Sequence, residues 1–483
     1  MSFEQPPRPR WGLRIALAAG SALVLVLGVV TVVWAVAPCD SGMSHVRGEC
    51  VGVTDGSEVF SPELEDVERR IAAENDRVAD DDFVVTVAVL MPMTAGEDDS
   101  LSISQIRSYL QGAHVAQVNA NQDRRGLKVR LALANEGRYE HAWKEVAERL
   151  VDMVEPENLV AVTGLGLSSP ETALGARELA AAGIPMVGYL SADRFNSLPG
   201  EHGPAIAGLH RVSPSIEQEL GTIAEHLDEL VGPQPTALLV RDGNGDDIYT
   251  ADLRENFQEK FGAAWQRSGR TTGSYTGGPD AFGLGTQFEY IADRICTSEV
   301  NVVLYAGRSN LLPDFVEKVR RRGCDPHRHI TIITGSESTD LHLSADPGTA
   351  PVSVLYASVA DPAALADARN QDRPLYTAFT GALHRLFDAD APVSNWSVLG
   401  HDATLAAVTA AQHAVGRHPG VPTTNGVLAH LRLLNHETNS VAGASGRFTF
   451  DSDSGDRVSG SIPVLRRSGD GQVEVVVPGG DAG

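Results

Sequence analysis

Reactive and metal-binding residues are scarce in this chain. Its 483 residues include only four cysteines, with no CxxC pair, and the histidines do not cluster. A zinc site is therefore not expected. The HxH of His327 and His329 reads as a surface turn, and no motif implies a cofactor. No G-x-S-x-G elbow occurs, which removes one signature of a serine hydrolase. Positive charge is also short: 39 Lys and Arg face 63 Asp and Glu, for a formal net charge of −24. Phosphate binding needs a basic face, so a nucleic-acid partner is not expected. Like-charge runs such as Asp80-Asp81-Asp82 read as solvated surface rather than a metal site.

One segment stands apart from the rest. From Ile15 to Ala37, "IALAAGSALVLVLGVVTVVWAVA" carries no charge over 23 residues. At roughly 1.5 Å per residue that crosses about 30 Å of hydrocarbon. Arg8, Arg10 and Arg14 precede it, which places the arm 1–14 in the cytoplasm and the chain after Pro38 outside. Ala35-Val36-Ala37 has the small-x-small form of a cleavage site, but the apolar core exceeds the roughly 7–15 residues of a signal peptide. A retained anchor is expected, giving a single-pass protein of the cell membrane. All four cysteines, Cys39, Cys50, Cys296 and Cys324, lie beyond the span, which suits an oxidising exterior. Three pairings are possible; neighbours in sequence are favoured, joining Cys39 to Cys50 and Cys296 to Cys324.

After the span, residues 38–82 read as a juxtamembrane linker and a stalk helix. In "SPELEDVERRIAAENDRV", Ser61 stands as N-cap, Pro62 at the first helical position, and acids fill the first turn. From Phe83 a strand–helix alternation begins. "FVVTVAVLMPM", "LKVRLALANE", "LVAVTG" and "IPMVGYL" are continuous apolar runs separated by helical patterns, as strands covered on both faces should be. The alternation restarts with "TALLVRD", "VNVVLYAG" and "HITIITGSES". Strand and helix in turn imply open, mostly parallel sheets with right-handed crossovers. The expected architecture is α/β with two facing lobes: lobe 1 over about 83–209 and 361–445, lobe 2 over about 210–360 and 446–477, and a tail at 478–483. Helices are expected over Leu375–Phe387 and Asp402–Val415. Ligands of open parallel sheets sit beyond the carboxyl ends of the strands, so the cleft between the lobes is the expected site.

The loop "VTGLGLSSPET", Val162 to Thr172, falls at such a strand end. Gly164-Leu165-Gly166 resembles a dinucleotide fingerprint, but the third glycine is replaced and the unit is the third in its sheet, not the first. A serine nucleophile would need a histidine partner that the sequence does not display. The remaining reading is an anion cradle: free N–H groups at the start of a helix, with Ser168 and Ser169 hydroxyls beside them. The competing structural use is simple capping of that helix.

Here the chain resembles the type I periplasmic binding proteins, specifically the leucine/isoleucine/valine-type substrate-binding proteins of ABC transporters. The likeness runs from about Val84 to Val477 through "VAVLMPMTAG", the "G-x-x-x-SS" loop, "GIPMVGYLSAD", "HRVSPS", "ALLVRD", "VVLYAG", "ITGSES" and "RFTFDSDSGD". It implies a two-lobed fold with a hinge and no catalysis. By the same resemblance, Ser168 and Ser169 would hold a ligand carboxylate, and Leu190 and Ser191 would add a carbonyl and a hydroxyl. Tyr249 would cover the ligand, Tyr305 would stand at a strand end, and Glu337 would accept an ammonium. Ala192, Asp193 and Arg194 depart from the hydroxyl-bearing pattern of the family, and their charges would alter the carboxylate pocket or select a more polar ligand. The expected function is an anchored extracytoplasmic solute-binding protein that takes an amino-acid-like or small polar ligand to an ABC permease. The alternative is a sensory or scaffolding ectodomain on the same fold, signalling ligand state to a partner protein.

Overall fold

A computed structural model describes Cys39 and residues 42–479, apart from 123–125, 197–205, 246, 279–280, 344–348, 417–419 and 459–461. The expected span at 15–37 and the arm before it lie outside the described residues. Among the described residues, no helix is long and apolar enough to cross a membrane.

Lobe 1 is built on a seven-stranded sheet of β1 (Met43–Val46), β2 (Glu49–Thr54), β3 (Val84–Met91), β4 (Lys128–Asn135), β5 (Leu159–Gly164), β6 (Met186–Gly188) and β7 (Leu209–Arg211). Its order is β1-β2-β4-β3-β5-β6-β7. The five strands from β4 to β7 run parallel. β5 is buried at every position, which explains its unbroken apolar run.

The β1–β2 hairpin corrects the reading of 38–82 as linker and stalk. It pairs antiparallel with β4 and extends the sheet by two strands. Val67 and Ile71 of the following helix, Glu65–Arg77, and Leu64 just ahead of it are buried in the lobe 1 core. Asn75 fixes it there: its Nδ2 donates to the carbonyls of Asp55 and Leu131, both at 2.8 Å, and its Oδ1 accepts from the Leu131 N–H at 2.9 Å. The segment is part of the lobe because its polar groups find their partners inside it.

Lobe 2 repeats the plan with β8 (Ala237–Asp242), β9 (Thr272–Tyr275), β10 (Val302–Ala306), β11 (Ile330–Ile333) and β12 (Val352–Ala357), all parallel. A small ribbon of β13 (Val441–Gly443), β14 (Gly446–Phe450) and β15 (Arg457–Val458) follows. Then β16 (Val464–Ser468) and β17 (Val473–Val477) complete the second sheet in the order β17-β16-β12-β11-β10-β8-β9.

The ribbon moves the last lobe boundary from the expected 445/446 to just before Val464. Phe448 and Phe450 pack into the lobe 1 core. Buried Asp402 accepts from the Ala444 N–H at 2.6 Å and the Ser445 N–H at 3.0 Å, and Arg457 Nη1 donates to the Val212 carbonyl at 2.9 Å. The chain therefore passes between lobes near 212–215, near 358–361, and once more ahead of β16.

Both disulfides join sequence neighbours: Cys39 to Cys50 and Cys296 to Cys324, each with Cα atoms 5.6 Å apart. The first ties the chain ahead of the hairpin to β2; the second links helix Leu284–Thr297 to the turn after helix Leu312–Arg320.

Candidate functional site

The loop after β5 takes an uncommon backbone path. Gly164, Leu165 and Gly166 have φ of 90°, 76° and 59°, so a leucine sits in the left-handed region between two glycines. Gly166 is required by its neighbours: a Cβ there would stand 2.8 Å from Glu136 Oε1 and 3.0 Å from Glu140 Oε1. Ser169 then caps helix Pro170–Ala181, its Oγ accepting from the Thr172 N–H at 3.1 Å.

A carboxylate of the protein itself occupies this loop. Glu140 Oε1 accepts from the Leu167 N–H at 3.2 Å, and Glu140 Oε2 accepts from the Ser169 hydroxyl at 3.3 Å. Glu140 is held there by a strained turn in which Tyr139 and Glu140 both have positive φ, 60° and 53°. Burial pushes the Glu140 carboxyl up to about 7, against the pull of the Leu167 N–H and of Arg308. Buried Glu136 is also raised well above its ordinary value, by desolvation and then by the charge of Glu140.

Between the lobes lies a cavity of about 30 Å³. Lobe 1 supplies Ser168, Leu190, Ser191 and Trp396; lobe 2 supplies Glu219 and Glu337. Glu219 is fully buried on helix Ile216–Glu225, and its Oε2 accepts from the Ser336 N–H at 3.1 Å. Burial pushes its carboxyl up to about 8. Glu219 Oε1 and Glu337 Oε2 are buried and make no hydrogen bond among the described residues.

Arg308, just past β10, joins the two lobes across this space. Its Nε donates to Asp247 Oδ2 at 2.8 Å, its Nη1 to Glu337 Oε1 at 2.6 Å, and its Nη2 to the Ser168 carbonyl at 3.1 Å. The guanidinium also lies 4.8 Å from the Tyr249 ring centroid. Burial works against its charge, but Asp247 and Glu337 outweigh that and hold it protonated. Glu337 in turn is raised by burial and lowered by Arg308, and remains above the ordinary carboxylate range.

Of the residues expected at the site, Ser168, Leu190, Ser191 and Glu337 line one cavity. Ser169, Tyr249 and Tyr305 do not. Ser169 is the helix cap, and Tyr249 lies beneath Arg308. Tyr305 is buried between Tyr275 and Phe315, with its hydroxyl accepting from Tyr275 Oη at 3.1 Å. Asp193 lies outside the cavity wall and accepts from the Glu217 N–H at 3.1 Å and Asn256 Nδ2 at 3.2 Å. Sequence reasoning missed Arg308, Glu219, Asn395 and Trp396. Glu219 had a signal: Ile216, Leu220 and Ile223 mark the buried face of its helix, and residue 219 lies on that face.

Residues 84–466 match the model of the periplasmic binding protein family. The chain belongs to that family. Such proteins bind a substrate rather than transform it. No curated protein matches the chain by sequence. Among solved structures, the leucine-binding protein LivK of Thermotoga maritima is similar at 15% identity and a TM-score of 0.56, covering 81% of this chain and 98% of its own. LivJ of Streptococcus pneumoniae, in complex with isoleucine, has 15% identity and a TM-score of 0.55, with coverages of 81% and 98%. A solute-binding protein of an ABC transporter from Rhodopseudomonas palustris, in complex with 3,4-dihydroxybenzoic acid, has 14% identity and a TM-score of 0.58, with coverages of 83% and 98%. At these identities the likeness carries the fold. The ligand of this periplasmic binding protein has to be argued from its own cleft.

Proposed function

We propose that this chain is an extracytoplasmic solute-binding protein, anchored by residues 15–37, that closes its lobes on a small polar ligand and delivers it to an ABC permease. The observation that carries the reading is the interlobe cavity, lined by Ser168 and Ser191 of lobe 1 and by Glu219 and Glu337 of lobe 2, each acid with one buried, unpaired carboxylate oxygen. Buried polar atoms without partners are costly, and a ligand that supplies their partners gains affinity from them. A cavity of about 30 Å³ has room for about one water, so a solute enters only when the lobes part. Parting them breaks the Arg308–Ser168 contact, and closure remakes it. The relatives bound to isoleucine and to a dihydroxybenzoate support a small polar ligand as the class.

The test is a thermal-shift screen with amino acids, amines, hydroxy acids and sugars. A ligand at about 100 times its dissociation constant adds about 2.7 kcal/mol to stability. No shift from any of them would count against solute binding.

The second reading, a sensory or scaffolding ectodomain, draws on the same cleft. Glu140 fills the anion loop and Arg308 bridges the lobes, so the chain's own groups already join both halves. Silence in the screen would favour it.

A further inference from the structure

Resting on the solute-binding reading, we propose that the cleft selects a small organic cation, an amine or amidine with an apolar body and no carboxylate, over α-amino acids. The argument compares the two poles that an amino acid would need. At the anion pole, the Leu167 N–H and the Ser169 hydroxyl both hydrogen-bond Glu140, which leaves Ser168 as the residue of the expected serine pair that lines the cavity. Ser169 Oγ also accepts the Thr172 N–H, which completes the helix cap. A second carboxylate brought to this loop would meet Glu140 and Glu136, both packed against Gly166. The Leu167 and Ser169 donors are already taken there, and wherever Glu140 is ionised a second carboxylate meets a like charge in a buried space.

At the cation pole, three buried acceptor atoms lack hydrogen-bond partners among the described residues. Glu219 Oε1 and Glu337 Oε2 have no partner, and an ammonium brought beside them favours their charged form over the protonated form that burial alone favours. Independently of these acids, Asn395, only 4% exposed, lines the same cavity with an unpartnered Oδ1. No lysine or arginine lines the cavity among the described residues. Arg308, beside it, is bound to Asp247, Glu337 and the Ser168 carbonyl. The remaining wall mixes five serines, Ser168, Ser191, Ser213, Ser336 and Ser358, with apolar and aromatic groups. Tyr189 and Trp396 stand edge to face, 5.0 Å between centroids, with Leu190 and Leu399 nearby. Aromatic faces attract an ammonium, and the leucines suit a hydrocarbon body.

Matched probes separate the poles. Phenethylamine, phenylalanine and 3-phenylpropionate share one skeleton and carry an ammonium, both charges, or a carboxylate. Isoamylamine, leucine and 4-methylpentanoate form an aliphatic set. Each is titrated calorimetrically into the full chain in detergent. At least one amine is expected to bind about tenfold or more tighter than its amino acid, with no heat from the carboxylates. Glu219→Gln and Asn395→Leu, each confirmed as folded by circular dichroism, are expected to weaken that amine about tenfold. An amino acid or carboxylate that binds as tightly as its amine overturns the selection while leaving solute binding intact. Silence from all six probes also overturns it, and solute binding then rests on the wider screen. Undiminished amine binding by both folded variants moves the amine out of this cleft and overturns the proposal.

Discussion

Replacing Glu219 by glutamine should change how stability depends on pH, and the size follows from its burial. In the folded chain the Glu219 carboxyl is pushed up to about 8 from an ordinary 4.5, by desolvation first, with the Ser336 N–H pulling the other way. An acid whose folded value is raised keeps a proton that the unfolded chain releases. Stability is therefore full below about pH 4.5 and is lost as pH rises towards 8. At about 1.4 kcal/mol per pH unit, the whole window amounts to roughly 5 kcal/mol. Glutamine is neutral throughout, and its Oε1 can still accept from Ser336. Urea denaturation should thus find wild type and Glu219→Gln equally stable at pH 4.5. By pH 9 the variant should lead by roughly 3–5 kcal/mol. Glu68, also raised to about 8 by burial, acts over the same window in both proteins, so the variant keeps a reduced slope. Parallel stability curves for the two proteins would refute the claim that Glu219 is a buried, protonated acid at neutral pH.

Three further outcomes follow from the same contacts. Arg308→Ala leaves Asp247 and Glu337 buried without their counter-charge and should cost about 3–5 kcal/mol in chemical denaturation, whereas a loss below about 1 kcal/mol would mean the bridge is not formed. Ser168→Ala and Glu337→Ala should each weaken ligand binding by about 1–3 kcal/mol in calorimetry; unchanged affinity in both would remove them from the site. Replacing Cys296 and Cys324 together by serine, 28 residues apart in sequence, should lower stability by about 3–4 kcal/mol through a freer unfolded chain, measured by urea midpoints with and without reductant.

The α/β alternation was legible because parallel strands buried on both faces must be apolar throughout, as β3, β5 and β10 are. The β1–β2 hairpin was not, because its short, glycine-broken strands carry no such run and their partner β4 lies some 80 residues away. The helix that lines the cleft was read as starting at Asp402; it starts at Asn395. Its Ser394 cap is closed by Ser397 rather than by a Glu or Gln, and the first turn holds Trp396 and Val398, so the usual start signal is missing. That hidden turn supplies Asn395, Trp396 and Leu399 to the cavity. Ser168 and Glu337 were readable as strand-end residues. Arg308 occupies a comparable place after β10, but only the folded chain brings Asp247, Glu337 and Ser168 around it.

Calorimetric titration of the tightest ligand from the screen, into wild type and into Ser168→Trp, tests the interlobe site most directly. A tryptophan side chain is far larger than a space of about 30 Å³, so it fills the cavity and props the lobes apart. Saturable one-to-one heat in wild type, and its loss in a variant that still unfolds cooperatively in urea, is the expected result. Equal heats in the two proteins would mean that whatever binds does so elsewhere, and would contradict a solute held between the lobes.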